Sequence, residues 1–277
     1  MTQNPIYTVE GENSEFQRAV AAAQATFKFM YRELSWERRR VVPGLDLAAV
    51  KISFPVEPLD ASSPSVENMW VTDVLFDGLT LRGELMNEPH WVTSLNAGDL
   101  VAAPLTDLND WMYVCGGRVF GAFTVDALRS DMEPDERAGH DEAWGLDFGE
   151  PGSVELVMTG IDQPLLRFSR DLDSAADRAA LAELERAEHP MAVNVQDNIE
   201  QNLAEDPTLI AQTDDNGQQY LHRETLAGNY GFVEALLRHG ADPQVRDSNG
   251  RTPLTLARMA GWPRIVELLE AHSPASI

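Results

Sequence analysis

Cysteine is almost absent from this sequence: its 277 residues include one, Cys115, so no disulfide can close within the chain. Long apolar runs are missing as well. Charge interrupts each of them within roughly ten residues, short of the ~20 needed to cross a bilayer, so neither a transmembrane helix nor a membrane partner is expected. The opening Met1-Thr2-Gln3-Asn4-Pro5 has no basic stretch leading into an apolar core, and the expected location is the cytoplasm. Basic residues are scarce, 21 against 45 acidic, for a formal net charge of −24. Nucleic acid is bound through Lys and Arg, so it is not an expected ligand. The same acidic excess favours encounter with a basic protein.

Chemical signatures are sparse too. Of six histidines, four fall at repeat positions or a helix end, leaving His90 and His140, and neither has another His or Cys at zinc-ligand spacing. There is no Gly-x-Ser-x-Gly motif, and Gly116-Gly117-Arg118 lacks the spacing and the Lys-Ser/Thr ending of a phosphate loop. Asp131, Glu133, Asp135 and Glu142 are spaced like calcium-loop ligands, but Glu136 stands where that loop needs glycine, so a solvated acidic surface is expected instead. Cys115, at the end of a strand-like stretch, reads as core filler. No cofactor, metal or catalytic residue is assigned.

What is present is an internal repeat. A shift of 33 residues places Asp215-Asn216-Gly217 on Ser248-Asn249-Gly250, then Gly228 on Gly261, Val233 on Val266, Leu236 on Leu269 and His239 on His272. Gly250-Arg251-Thr252-Pro253-Leu254 opens a helix at a Pro-tolerant first turn, and Gly261 ends it. Ile265, Val266, Leu268 and Leu269 stripe a second helix, and His239-Gly240-Ala241-Asp242-Pro243 forms the exit turn. These features resemble the ankyrin repeat. Upstream, residues 195–210 read as a degenerate capping half-repeat, which gives about two and a half units over 195–277. Leu221, Leu236, Leu254, Ala257, Val266 and Leu269 are the expected core. So short an array is expected to lean on its neighbour, since solenoids usually need about three repeats.

The N-terminal part opens with one amphipathic helix, in which Phe16, Val20, Ala23, Phe27, Met30 and Leu34 recur at helical spacing behind Asn13 and Ser14. Strand-like stretches follow at Val50–Val56, Met69–Phe76, Leu79–Met86, Leu100–Leu105 and Trp111–Val114, with turns at Asp77-Gly78 and Gly116-Gly117. Residues 131–177, with 13 acidic and 3 basic side chains, read mostly as exposed loop. A helix from Ser174 to Glu188 ends at His189-Pro190, where the domain boundary is placed. The expected fold is α+β: a mainly antiparallel sheet with flanking helices in residues 1–190, followed by the all-α repeats.

Glu67-Asn68-Met69-Trp70-Val71, Gly83-Glu84-Leu85-Met86-Asn87-Glu88-Pro89, Gly98-Asp99 and Asp110-Trp111-Met112-Tyr113 together resemble the YegJ-like family of bacterial domains, over about residues 15–150. The resemblance implies a fold neighbourhood and no activity; it also implies an association with bacterial toxin and immunity genes. Two readings of the tryptophans stay open: Trp70, Trp91 and Trp111 fill a core, or Asn87, Glu88, Trp91, Asp110 and Trp111 line a ligand groove. The expected function is that of a non-enzymatic protein-binding protein, an immunity protein that neutralises a basic toxin or effector. Asp242, Gln244, Arg246, Asp247, Asn249, Thr255 and Arg258 are its expected contact residues. The alternative is an enzyme with its pocket in the YegJ-like domain and repeats that recruit a protein substrate.

Overall fold

The computed structural model describes residues 14–57, 63–159 and 165–272. The first described element is α1 (Ser14–Glu37); Asn13, read as preceding this helix, lies outside the described residues. Strands β1 (Leu47–Pro55), β2 (Val66–Phe76), β3 (Thr80–Leu85), β4 (Leu100–Pro104), β5 (Leu108–Cys115) and β6 (Arg118–Gly121) form one antiparallel sheet in the order β4-β3-β2-β1-β5-β6. Then come α2 (Phe123–Ser130), α3 (Pro134–Trp144), the hairpin β7 (Ser153–Glu155) with β8 (Arg167–Ser169), and α4 (Ala175–Arg186). The last part is helical: α5 (Ala192–Glu205), α6 (Tyr220–Ala227), α7 (Tyr230–Arg238), α8 (Pro253–Ala260) and α9 (Pro263–His272). The fold is α+β, as the pattern of alternation and turns predicts.

Alternation along the strands divides the sheet into two faces. Val50, Ile52, Val71, Trp111 and Tyr113 meet α1 on one face. On the other, Ala49, Trp70, Met112, Val114 and Val119 are covered by α2 and by the end of α3 with Trp144, Leu146 and Phe148. The expectation of loop over 131–177 is corrected by α3, whose Pro134 sits in the first turn and whose Gly145 closes the C-terminus at φ +66°. Gly139 and the acidic side chains hide the helix because its outward face has nothing apolar to display.

Helix α1 departs from the expected amphipathic pattern because two of its faces are covered. Ala19, Ala23, Phe27 and Met30 are buried on the sheet side, while Phe29, Arg32, Glu33 and Trp36 are buried as well. The second face carries the repeats. Phe29 meets Trp262 edge to face at 5.7 Å, and the Trp36 indole N–H donates to Asn229 Oδ1 at 2.9 Å. Asn229 and Trp262 occupy the inter-helix turns of consecutive units. Seven residues of α-helix rise about 10.5 Å, close to the separation of packed helix layers, so α1 meets the array in step with its repeat. Burial pushes the Arg32 guanidinium down to about 10, opposed by Glu188, and its Nη1 donates to the Ala187 carbonyl at 2.9 Å. Lys28 bonds both Glu185 and the Gly261 carbonyl, tying α4, α1 and the last unit together.

Within the array, Leu221, Leu236, Ala257 and Leu269 are buried as expected, together with Leu256 and Ile265. Leu254 and Val266 are only half-buried, a correction to the expected core. Their counterparts one unit earlier, Leu221 and Val233, are fully buried; among the described residues no further unit packs on the second.

Candidate protein-interaction surface

Both units enter through the same turn. Asp247 Oδ1 accepts the backbone N–H groups of Asn249 at 3.0 Å and Arg251 at 2.8 Å, and its Oδ2 accepts Arg251 Nε at 2.7 Å. Thirty-three residues earlier, Asp214 accepts Asn216 and Gln218 N–H, both at 2.9 Å. Burial opposes ionisation of Asp247, but the Arg251 bonds prevail and hold its carboxyl below the usual range. Asp247 was expected as a contact residue; it is 6% exposed and serves as the turn's anchor. Extending the repeat alignment one residue to the left pairs Asp214 with Asp247 and would have revealed this role.

The other expected contact residues are exposed: Asp242, Gln244, Arg246 and Asn249 at the hairpin, Thr255 and Arg258 on α8. Asp242 Oδ1 accepts the Gln244 N–H at 2.8 Å, Arg246 donates to the Gly250 carbonyl at 2.6 Å, and Arg258 pairs with Glu270 at 2.6 Å. The tips are therefore held in shape from within and present a mixture of charges.

The inner face of the array is partly filled by the chain itself. The β2–β3 turn reaches between the two units, where Gln218 Nε2 donates to the Asp77 carbonyl at 2.8 Å. Gly78 has φ +102°, and a Cβ there would stand 2.9 Å from Leu256 Cδ2 and 3.1 Å from Arg251 Nη1. Glycine is needed for both reasons. Leu226, beside this turn, is 2% exposed; its counterpart one unit on, Met259, is 47% exposed.

The residues proposed for a groove do not converge. Asn87 and Glu88 are exposed on the β3–β4 loop, and Trp91 is half-buried there. That loop is pinned by Glu67, whose carboxylate accepts the N–H groups of His90, Trp91 and Val92 at 2.6 to 2.9 Å. Asp110 and Trp111 are fully buried inside the sheet layer. Asp110 accepts the N–H groups of Phe123 at 3.0 Å and Thr124 at 2.7 Å, capping α2 from a distant strand. Burial pushes its carboxyl up, against the pull of Lys51 and Thr124. The Trp111 indole N–H donates to the Ala23 carbonyl at 2.9 Å. The core reading of Trp111 and Asp110 replaces the groove reading.

Of the residues at calcium-like spacing, Asp135 lies in the first turn of α3, which begins at Pro134; among the described residues there is no group of three or more His, Cys, Asp or Glu side chains that could hold a metal ion. Cys115 is half-buried at the end of β5, and burial pushes its thiol up. Among the described residues no helix is long and apolar enough to cross a membrane. The acidic side chains Asp135, Glu136 and Glu142 are exposed on α3. The end of α3 packs on the sheet face that α2 also covers, whereas Asp171, in the same acidic stretch, pairs with Arg18 of α1 at 3.9 Å.

These features define a class: an α+β domain braced by one helix against a short ankyrin array. The family described as an uncharacterized protein conserved in bacteria (DUF2314) matches residues 13–148. A Neisseria meningitidis protein named for its ankyrin repeats is 39% identical over 270 residues, covering 98% of each chain. The chain belongs to this family of bacterial proteins, in which a DUF2314 domain precedes ankyrin repeats. The YegJ protein of Escherichia coli is 34% identical over 62 residues, 22% of this chain and 40% of its own. A mouse protein phosphatase 1 regulatory subunit, number 27, is 41% identical over 54 residues, 20% of this chain and 35% of its own. The ankyrin relatives support a protein-binding role.

Proposed function

We propose that this chain is a non-enzymatic binding protein that neutralises or regulates a cationic protein, a bacterial toxin or secreted effector, in the cytoplasm. The observation that carries the reading is the row of hairpin tips: Asp242, Gln244, Arg246 and Asn249 are exposed, internally braced and adjacent to the uncovered Thr255, Arg258 and Met259. The partner engages these tips and the open inner face of the last unit, since the β2–β3 turn already fills the space between the two units. The net charge of −24 accelerates encounter, with the α3 carboxylates contributing through the long-range field and not by contact. By its name, the mouse relative acts on another protein as a regulatory subunit, which agrees with this role.

Co-purification with the product of the adjacent gene, followed by association kinetics across a salt series, tests the proposal. Asp242→Lys is expected to slow association about tenfold or less and to flatten its salt dependence. Arg258→Glu with Asn249→Lys is expected to speed dissociation. Unchanged kinetics in both variants would sink the assignment of the tips.

A further inference from the structure

The sheet protects one edge and leaves the other bare. Along β6, Val119 N–H donates to the Asp147 carbonyl and Asp147 N–H to the Gly117 carbonyl, both at 2.9 Å, so a loop covers that side. Along β4, no strand or bridge among the described residues pairs with the outer side. The ladder with β3 opposes Leu81 to Ala103 and Gly83 to Val101. Leu105 N–H donates to the Leu79 carbonyl and Leu85 N–H to the Asp99 carbonyl, both at 2.9 Å. Antiparallel pairing alternates, so residues 99, 101, 103 and 105 carry the ladder, and Leu100 and Ala102 turn their N–H and C=O groups outward.

The usual deterrents are weak here. Edge strands are normally guarded by charge, bulges or cover, yet Leu-Val-Ala-Ala-Pro carries no charge and Leu100 is 84% exposed. Pro104 closes one end only. Met86, 46% exposed, adds a second apolar side chain on the β3 side. The charges around this edge are mostly negative. Glu84 stands opposite Leu100, Asp99 precedes the strand and Asp107 follows it; Arg82, opposite Ala102, is paired with Asp77 at 3.3 Å.

We propose that β4 accepts an extended segment of a partner protein as a seventh strand, a segment in which basic residues alternate with apolar ones. Leu100 and Ala102 supply the main-chain bonds, Leu100 and Met86 the apolar contact, and Glu84, Asp99 and Asp107 select lysine or arginine. This inference is independent of the hairpin tips and survives if their assignment fails.

The probes are two blocked hexapeptides, one alternating lysine with valine and one glutamate with valine, added to the full chain. Amide exchange is the readout. The lysine peptide is expected to slow exchange at Leu100 and Ala102 about tenfold, and the glutamate peptide to leave both unchanged. Ala102→Pro removes an outward N–H at a position where an edge strand tolerates proline, and is expected to weaken lysine-peptide binding about tenfold with the unfolding midpoint retained. The exchange map of the unaltered chain decides the matter if that variant does not fold. Protection confined to α3, or undiminished affinity in folded Ala102→Pro, overturns the proposal. So does a two-copy assembly that Ala102→Pro dissolves, which would make a second copy the occupant.

Discussion

The first repeat unit, α6 with α7, and the second, α8 with α9, have one backbone design but different surroundings, and their sequences diverge where the surroundings do. In the second unit, Ala257 and Trp262 face the interior; in the first, the same positions are Glu224 and Asn229. Glu224 is 2% exposed, pairs with Arg39 on the segment after α1, and accepts Asn229 Nδ2 at 2.8 Å. Asn229 in turn holds Trp36 and Ser35. Thus α1 grips one unit by a buried polar cluster and the other by aromatic packing on Trp262, with Lys28 and Arg32 close over that ring. A unit departs from the repeat consensus where it has become part of another domain's core.

The largest effect is expected inside the second unit. Leu256→Asp buries a charge at a site with no exposure, against the β2–β3 turn, and should cost about 4 kcal/mol or more, abolishing the cooperative melt of the array. Leu254→Asp, at a half-buried site, should be folded under the same conditions; equal damage from both would break the distinction between interior and end face. Trp36→Ala comes next, at about 3 to 5 kcal/mol. It removes the Asn229 bond and the stack on His189 at 5.0 Å, and the sheet and the repeats should melt together at the lowered midpoint. Two separated transitions, followed by near-ultraviolet circular dichroism, would show that the repeats stand alone.

A smaller loss is expected from Glu224→Ala, which restores the second unit's residue but removes the ion-pair partner of Arg39 and one acceptor of Asn229, at about 1 to 3 kcal/mol. A double-mutant cycle with Arg39→Met should show coupling; additive losses would remove Glu224 from the grip. The smallest effect is pH-dependent. The folded Asp247 carboxyl lies below its unfolded value of about 3.9, so its contribution is complete above that pH and is lost as pH falls through the folded value. The stability difference between the native chain and Asp247→Asn should therefore be constant near neutrality and shrink on acidification below about pH 4. A difference that grows with acid would reverse the sign of the assignment.

The repeats were legible because glycine, proline and leucine recur at one offset, and strands β1 to β5 because alternation and hairpin glycines bracket them. Strand β6 was missed: four residues, the last of them a glycine, carry too little pattern. The second covered face of α1 was hidden because Arg32 and Glu33 look solvated until Ala187 and His189 arrive from far along the chain. Asp110 misled for a related reason. A carboxylate in an apolar strand resembles a working group, and only the fold places the start of α2 beside it. Asp247 looked like an exposed tip because its partner, Arg251, reads as surface from sequence.

The grip of α1 on the repeats also sets a schedule. Trp36 and its partner Asn229 are 193 residues apart, an interval of about 10 to 40 s at ribosomal speeds of roughly 5–20 residues per second. The sheet and α1 are made first; Trp36 has no repeat to cover it until the first unit emerges, and Phe29 none until the second does. The nascent chain is therefore at its most adhesive between completion of the sheet and the arrival of α6. A ribosome stalled before α6 would display a stripe of tryptophan, phenylalanine and arginine that the finished protein keeps wholly inside.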